Sequence, residues 1–137
     1  MVHELYRATV AWNGDRDDLR AHTVTLAEQR LVASTAPERG GDPAKADPEQ
    51  LLVAAASSCH MLWFLDFSRR ERIRVISYED EAEGEMDERR FVRVVLRPAI
   101  TFDAEPEPEV VAELHDRAHE ACFIANSLNC PVEVEPR

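Results

Sequence analysis

The sequence predicts one mixed domain in which short strands flank two helices. Three observations carry this expectation. The chain has 137 residues, the length of a single domain. Period-two alternation recurs before, between and after the helical segments. Two longer segments read as helices, one apolar on nearly every side and one with apolar residues at three- and four-residue steps.

Residues 5–12, LYRATVAW, place Tyr6, Ala8, Val10 and Trp12 on one face, the pattern of a half-buried strand. Asn13-Gly14-Asp15 is a turn signal. Residues 21–26 and 30–35 carry β-branched side chains and form the next strand candidates. Residues 36–47, APERGGDPAKAD, hold two prolines and two glycines and read as a loop. The loop ends in Asp47-Pro48-Glu49-Gln50: an N-cap, a proline suited to the first helical position and a glutamine that completes a capping box. The helix that follows runs through LLVAAASSCHMLWFL to Phe67 and is predicted to be a buried core helix. Arg69, Arg70 and Arg72 complement its C-terminal dipole. Residues 73–86 and 90–102 are two further strand candidates, and the acidic stretch from Glu79 to Glu88 marks their solvated ends and connection. A second helix is predicted from about Pro108 to Ala125, with Val111, Leu114, Ala118, Cys122 and Ala125 as its apolar stripe. Residues 131–135 alternate as a short final strand.

Composition excludes several classes. Sixteen basic residues face 27 acidic ones, a net charge of −11, so a uniformly acidic surface would repel phosphate backbones and anionic lipid heads. Neither nucleic acid nor membrane is expected as a partner. Three cysteines are too few, and too odd in number, for a secreted disulfide scaffold. The opening residues lack a basic segment followed by an apolar one, so no signal peptide is expected and a cytoplasmic location is the default. The apolar run of the first helix falls short of the ~20 residues of a membrane span.

The cysteines carry the chemistry worth weighing. Cys59 lies in the first helix and Cys122 on the stripe of the second. Packed together, the helices would bring two thiols into one interior, where one can be oxidised by a peroxide and the other can resolve the sulfenic acid. The same positions also suit two small buried hydrophobes. Reactivity needs the thiolate, hence a cation nearby. Arg39 in the loop before the helix is the best candidate, and Glu49 can hold it in place. Glu49 precedes Cys59 by ten residues, roughly 15 Å of helix rise, so a Glu49 that serves Cys59 acts from a second subunit. Cys130, before Pro131, is a spare thiol or an alternative resolving one; its position outside the helical stripe favours the spare. His115, His119 and Cys122, at i, i+4 and i+7, with Cys59 would make a four-ligand zinc set, but no CxxC or HExxH motif accompanies them. His115 and His119 read instead as solvent-facing flanks of the stripe. No G-x-S-x-G elbow and no phosphate-cradling glycine loop is present.

Two segments resemble a known family. Asp47-Pro48-Glu49-Gln50-Leu51-Leu52, then an alanine-rich helix to Ser58-Cys59-His60-Met61, resembles the helix bearing the reactive cysteine in the OsmC/Ohr family. Ala118-His119-Glu120-Ala121-Cys122 resembles the segment bearing its second cysteine. The resemblance spans roughly residues 5–135. It implies an α+β, OsmC-like fold, with antiparallel sheets wrapped around two central helices and two subunits intertwined as a homodimer with composite active sites. It implies thiol-dependent reduction of hydroperoxides, organic ones especially, with Cys59 as the peroxidatic cysteine and Cys122 as the resolving one. By motif, Arg39 is the active-site arginine and Glu49 its glutamate, here expected to orient Arg39 from the other subunit. An external dithiol would reduce the disulfide, and no cofactor or resident metal is expected. An apolar pocket near Trp63 and Phe64 would favour organic peroxides. The alternative is a non-catalytic thiol stress protein that binds a small ligand or metal.

Overall fold

Three short antiparallel strands open the fold: β1 (Thr9–Ala11), β2 (His22–Leu26) and β3 (Gln29–Ala33), in the order β1-β2-β3. They belong to the first of two compact units in a computed structural model that describes residues 3–137. β2 and β3 are joined by a two-residue turn with Ala27 in the left-handed region at φ 53°. Only three residues of the expected strand 5–12 pair, and Tyr6, Val10 and Trp12 are exposed rather than half-buried. Within this unit a three-stranded sheet has no second layer to cover that face, so alternation is present without burial.

Between β3 and the first helix the chain is held by Ser34 N–H, which donates to the Ala46 carbonyl at 2.8 Å. Residues Pro37–Arg39 form a 3-10 turn closed by Gly40 at φ 86°. Gly41 is required by close approach: a Cβ there would stand 1.7 Å from the Thr35 carbonyl oxygen. The capping box then forms as the sequence predicts. Gln50 N–H donates to Asp47 Oδ1 at 2.8 Å and Asp47 N–H donates to Gln50 Oε1 at 3.1 Å.

Helix α1 (Pro48–Arg70) has 23 residues, about 35 Å of rise. It buries one stripe, Ala56, His60, Phe64 and Ser68, at a constant four-residue step. Ala54, Ala55, Ser58 and Leu62 on another face are exposed. The expectation of a helix buried all round is therefore corrected: apolar character surrounds this helix, but its own chain covers only one side. A Schellman motif ends it. Arg72 N–H donates to the Arg69 carbonyl and Ile73 N–H to the Ser68 carbonyl, with Arg72 left-handed at φ 59°.

In the second unit, Leu52–Arg137, each of the two long strand candidates divides. β4 (Val75–Asp80) pairs antiparallel with β7 (Pro98–Phe102), and β5 (Glu83–Met86) with β6 (Phe91–Leu96). β8 (Val132–Val134) joins β6 in parallel, the one parallel pair among the described strands. Asp80 stabilises both breaks. Its Oδ1 accepts from Arg97 N–H at 2.6 Å, at the junction of β6 and β7, and its Oδ2 accepts from Ser57 of α1 at 2.5 Å. The acidic residues are solvated and paired: Arg93 bridges Glu85 and Glu133 across three strands.

The predicted helix 108–125 also breaks in two, into α2 (Pro108–Ala121) and α3 (Phe123–Ser127), at an extended Cys122 with ψ 110°. One core cluster joins Ala56, Val94, Leu96, Cys130 and Val132; a second joins Phe64, Leu114 and Ala118. The second contains a polar exception. His60 Nε2 and His115 Nδ1 are 3.0 Å apart, the rings are stacked, and Phe64 packs on His115. His115 is thus buried, which corrects its expected place as a solvent-facing flank.

Two outcomes follow. Asp47→Ala removes the cap acceptor and is expected to cost about 1 kcal/mol in urea unfolding. Burial lowers the pKa of His60 and of His115 to about 4, from an ordinary value near 6.5. The unfolded chain then binds protons that the folded chain refuses, so the stability these rings contribute is complete above pH 6.5 and declines as pH falls toward 4. The two losses are not independent, because a charge on His115 further disfavours one on His60, and both fall in the range between pH 7 and pH 5. His115→Gln should flatten the pH dependence of the urea midpoint over that range.

Candidate active site

Cys59 lies midway along α1, one residue before the buried His60, and is partly exposed. Cys122 is buried at the junction of α2 and α3. The break in the helix explains its placement: at extended backbone, Cys122 caps α3, its Sγ accepting from Ala125 N–H at 3.4 Å. The Cys59 side chain lies near enough to raise the Cys122 pKa. The two thiols that the sequence predicts as a pair therefore lie in one neighbourhood, Cys59 on α1 and Cys122 at the end of α2. Burial pushes the Cys122 thiol up; the Ala125 N–H pulls against it and the Cys59 sulfur adds to the rise. Cys122 is thus a buried thiol that keeps its proton, and Cys59 is partly exposed.

Cys130 does not join them. It is packed among Ala56, Val94, Leu96 and Val132. This is the environment of a structural thiol.

Arg39 and Glu49 are brought together. Arg39 Nη2 pairs with Glu49 Oε1, so the 3-10 turn and the first turn of α1 form one charged unit. The second carboxylate oxygen, Oε2, is buried with no hydrogen-bond partner in the chain. The expectation that Glu49 orients Arg39 from another subunit is corrected, because the pair closes within one chain. The reason is local: Gly40 and Gly41 fold the loop back on itself, and the capping box fixes where α1 starts. Glu49 and Cys59 remain ten residues apart on one straight helix.

The aromatic surroundings also differ from expectation. Phe64 is fully buried against Tyr78, Phe102 and His115. It belongs to the core and lines no site. Trp63 instead stacks on Phe67 and meets Phe123 edge-to-face, with ring centroids 5.6 Å apart. Phe123 follows Cys122 directly and is largely exposed. An apolar wall beside the thiols is therefore made by Trp63 and Phe123.

The zinc set considered from spacing does not assemble: no group of three or more histidine, cysteine or acidic side chains gathers as a metal site among the described residues. His115 turns to His60 instead. That buried pair is the feature sequence reasoning missed. Its signal was positional, since His60 stands four residues from both Ala56 and Phe64, and His115 lies between Leu114 and Ala118 on the apolar stripe.

Comparison with known proteins identifies the family. A family model described as OsmC-like protein matches residues 40–137, which contain Glu49 and all three cysteines. An OsmC-like protein of unknown function from Vibrio cholerae is 34% identical, with a TM-score of 0.87 over 98% of this chain and 100% of that one. An organic hydroperoxide resistance protein from Legionella pneumophila, described as a predicted redox protein, is 22% identical, with a TM-score of 0.71 over 98% and 97% of the two chains. The organic hydroperoxide resistance protein OhrB of Bacillus subtilis is 21% identical, with a TM-score of 0.67 over 98% and 100%. With its α+β architecture and a family match over most of its length, the chain belongs to the OsmC-like protein family.

Proposed function

We propose that this protein reduces organic hydroperoxides through Cys59 and Cys122. The observation that carries the reading is a partly exposed Cys59 near a buried Cys122 whose pKa is raised by burial. The Cys59 thiolate attacks the outer oxygen of the peroxide. The O–O bond breaks, the alkoxide leaves and takes a proton as the alcohol, and Cys59 becomes a sulfenic acid. The Cys122 sulfur then attacks the Cys59 sulfur; hydroxide leaves with the Cys122 proton as water, and a disulfide forms. An external dithiol returns both cysteines to thiols. The order follows accessibility, since the exposed sulfur meets the oxidant and the buried one needs only its neighbour. The organic hydroperoxide resistance proteins of similar fold support the substrate class. So does the apolar wall of Trp63 and Phe123.

Arg39 is the cation assigned to the Cys59 thiolate, and Glu49 keeps its guanidinium in position. Because helix rise separates Glu49 from Cys59 within a chain, the Arg39–Glu49 unit of one subunit serves Cys59 of the other. The protein acts as a homodimer in the cytoplasm. The exposed apolar face of α1, with Leu62 at 60% exposure, supports that assembly.

Consumption of cumene hydroperoxide with a dithiol reductant tests the reading. Cys59→Ser should abolish turnover. Cys122→Ser should stop after one oxidation and accumulate Cys59 sulfenic acid. Mass spectrometry of oxidised wild type should give a Cys59–Cys122 linkage; a Cys59–Cys130 product would transfer the resolving role, and full activity in Cys59→Ser would sink the proposal. The composite site has its own check. Arg39→Gln alone should lower activity at least about tenfold through loss of thiolate stabilisation. Mixing inactive Arg39→Gln and Cys59→Ser subunits should restore roughly a quarter of wild-type turnover, since half the dimers are mixed and each carries one intact site. No recovery on mixing would place the site within one chain.

A further inference from the structure

At the C-terminal end of α1 lies a cavity of about 420 Å³ lined by Leu65, Arg69, Arg72, Ile73, Arg74 and Val75. Three arginines ring an apolar floor in a protein whose net charge is −11. The other cations nearby are committed: Arg69 and Arg70 pair with Asp66, and Arg117 with Glu71. Arg72 and Arg74 have no ion pair among the described residues.

Neutralising the helix dipole does not account for them. The Schellman motif already satisfies the Ser68 and Arg69 carbonyls with backbone N–H groups, and Arg69 and Arg70 supply the positive charge of the last turn. Arg72 also occupies the one position of that motif where glycine is ordinary. Its φ of 59° is a left-handed conformation that a side chain disfavours. A strained arginine that forms no ion pair, at the rim of a cavity, marks a functional position rather than a structural one.

We infer that this cavity binds a carboxylate carrying an apolar chain, with Arg72 and Arg74 on the carboxylate and Leu65, Ile73 and Val75 along the chain. The guanidinium forks suit a planar carboxylate, held by paired N–H donors. A bare phosphate would leave the apolar floor uncovered, and an apolar molecule without charge would leave the guanidiniums unmatched. The site is separate from the thiols: Arg69 stands ten residues after Cys59 on α1, about 15 Å of helix rise. The inference therefore stands independently of the proposed reaction.

The test is a titration of ¹⁵N-labelled protein with octanoate, read at the backbone amides of Ile73, Arg74 and Val75. Saturable shifts are expected in the wild type and, unchanged, in Cys59→Ser. Octan-1-ol at the same concentrations should move these amides far less. Arg72→Gly is the informative variant. It relieves the left-handed strain and so should raise the thermal midpoint, while weakening octanoate binding at least about tenfold. Arg74→Gln should weaken binding without raising the midpoint. The inference is overturned if octanoate gives no saturable shift, if octanol binds as well, if Arg72→Gly binds octanoate like wild type, or if Arg72→Gly unfolds at a lower temperature.

Discussion

The packing of α1 on α2 is the constraint on which the rest of the structure depends. α1 offers a narrow stripe, one residue wide at each four-residue step, and α2 meets it with Leu114, His115 and Ala118. The stripe is polar at His60 and at Ser68, and Ser68 is satisfied within its own helix by the Phe64 carbonyl. His60 and His115 share a hydrogen bond, and their outer nitrogens, Nδ1 and Nε2, are left without partners. Such a pair is tolerated because both rings are neutral; a proton added to His115 would place a charge beside Phe64, where burial outweighs the favourable pull of Asp116. The adjacent residue on α1 is Cys59, and α2 ends at Cys122. Helix contact and histidine pair are thus one construction, and it carries the two cysteines into one neighbourhood.

The two ends of α1 are built differently. The N-terminus is fixed by reciprocal side-chain bonds between Asp47 and Gln50, and the neighbouring loop is folded tightly enough that Gly41 admits no Cβ. That rigidity keeps Arg39 against Glu49. The C-terminus is closed by backbone bonds alone, with an arginine where glycine would be easier. One end spends side chains on order, and the other leaves Arg72 and Arg74 without an ion pair among the described residues.

Local signals in the sequence were legible wherever a short segment determines its own conformation. The capping box, the proline at the first helical position, the loop over residues 36–47 and the apolar stripe of α2 all correspond to observed features. The placement of Cys59 on α1 and of Cys122 at the end of α2 was legible as well. What failed to show in sequence were events that depend on distant partners. The division of residues 73–86 and 90–102 into four strands rests on Asp80, whose carboxylate draws Arg97 N–H out of a strand ladder. The break at Cys122 has no proline or glycine to announce it. Burial was misjudged for α1 and β1 for a common reason: apolar pattern measures a tendency to be covered, while coverage requires a partner surface.

The sulfur of Cys122 is also a structural atom. It accepts the Ala125 amide and so starts α3, a helix of five residues with little else to hold its first turn. A disulfide to Cys59 would turn that sulfur toward α1 and change its electron density at the amide. The redox state of the thiol pair would then be written into the backbone of residues 123–127, beside the exposed ring of Phe123. A reductant that must tell oxidised protein from reduced could read the shape of this short helix without touching the buried sulfur.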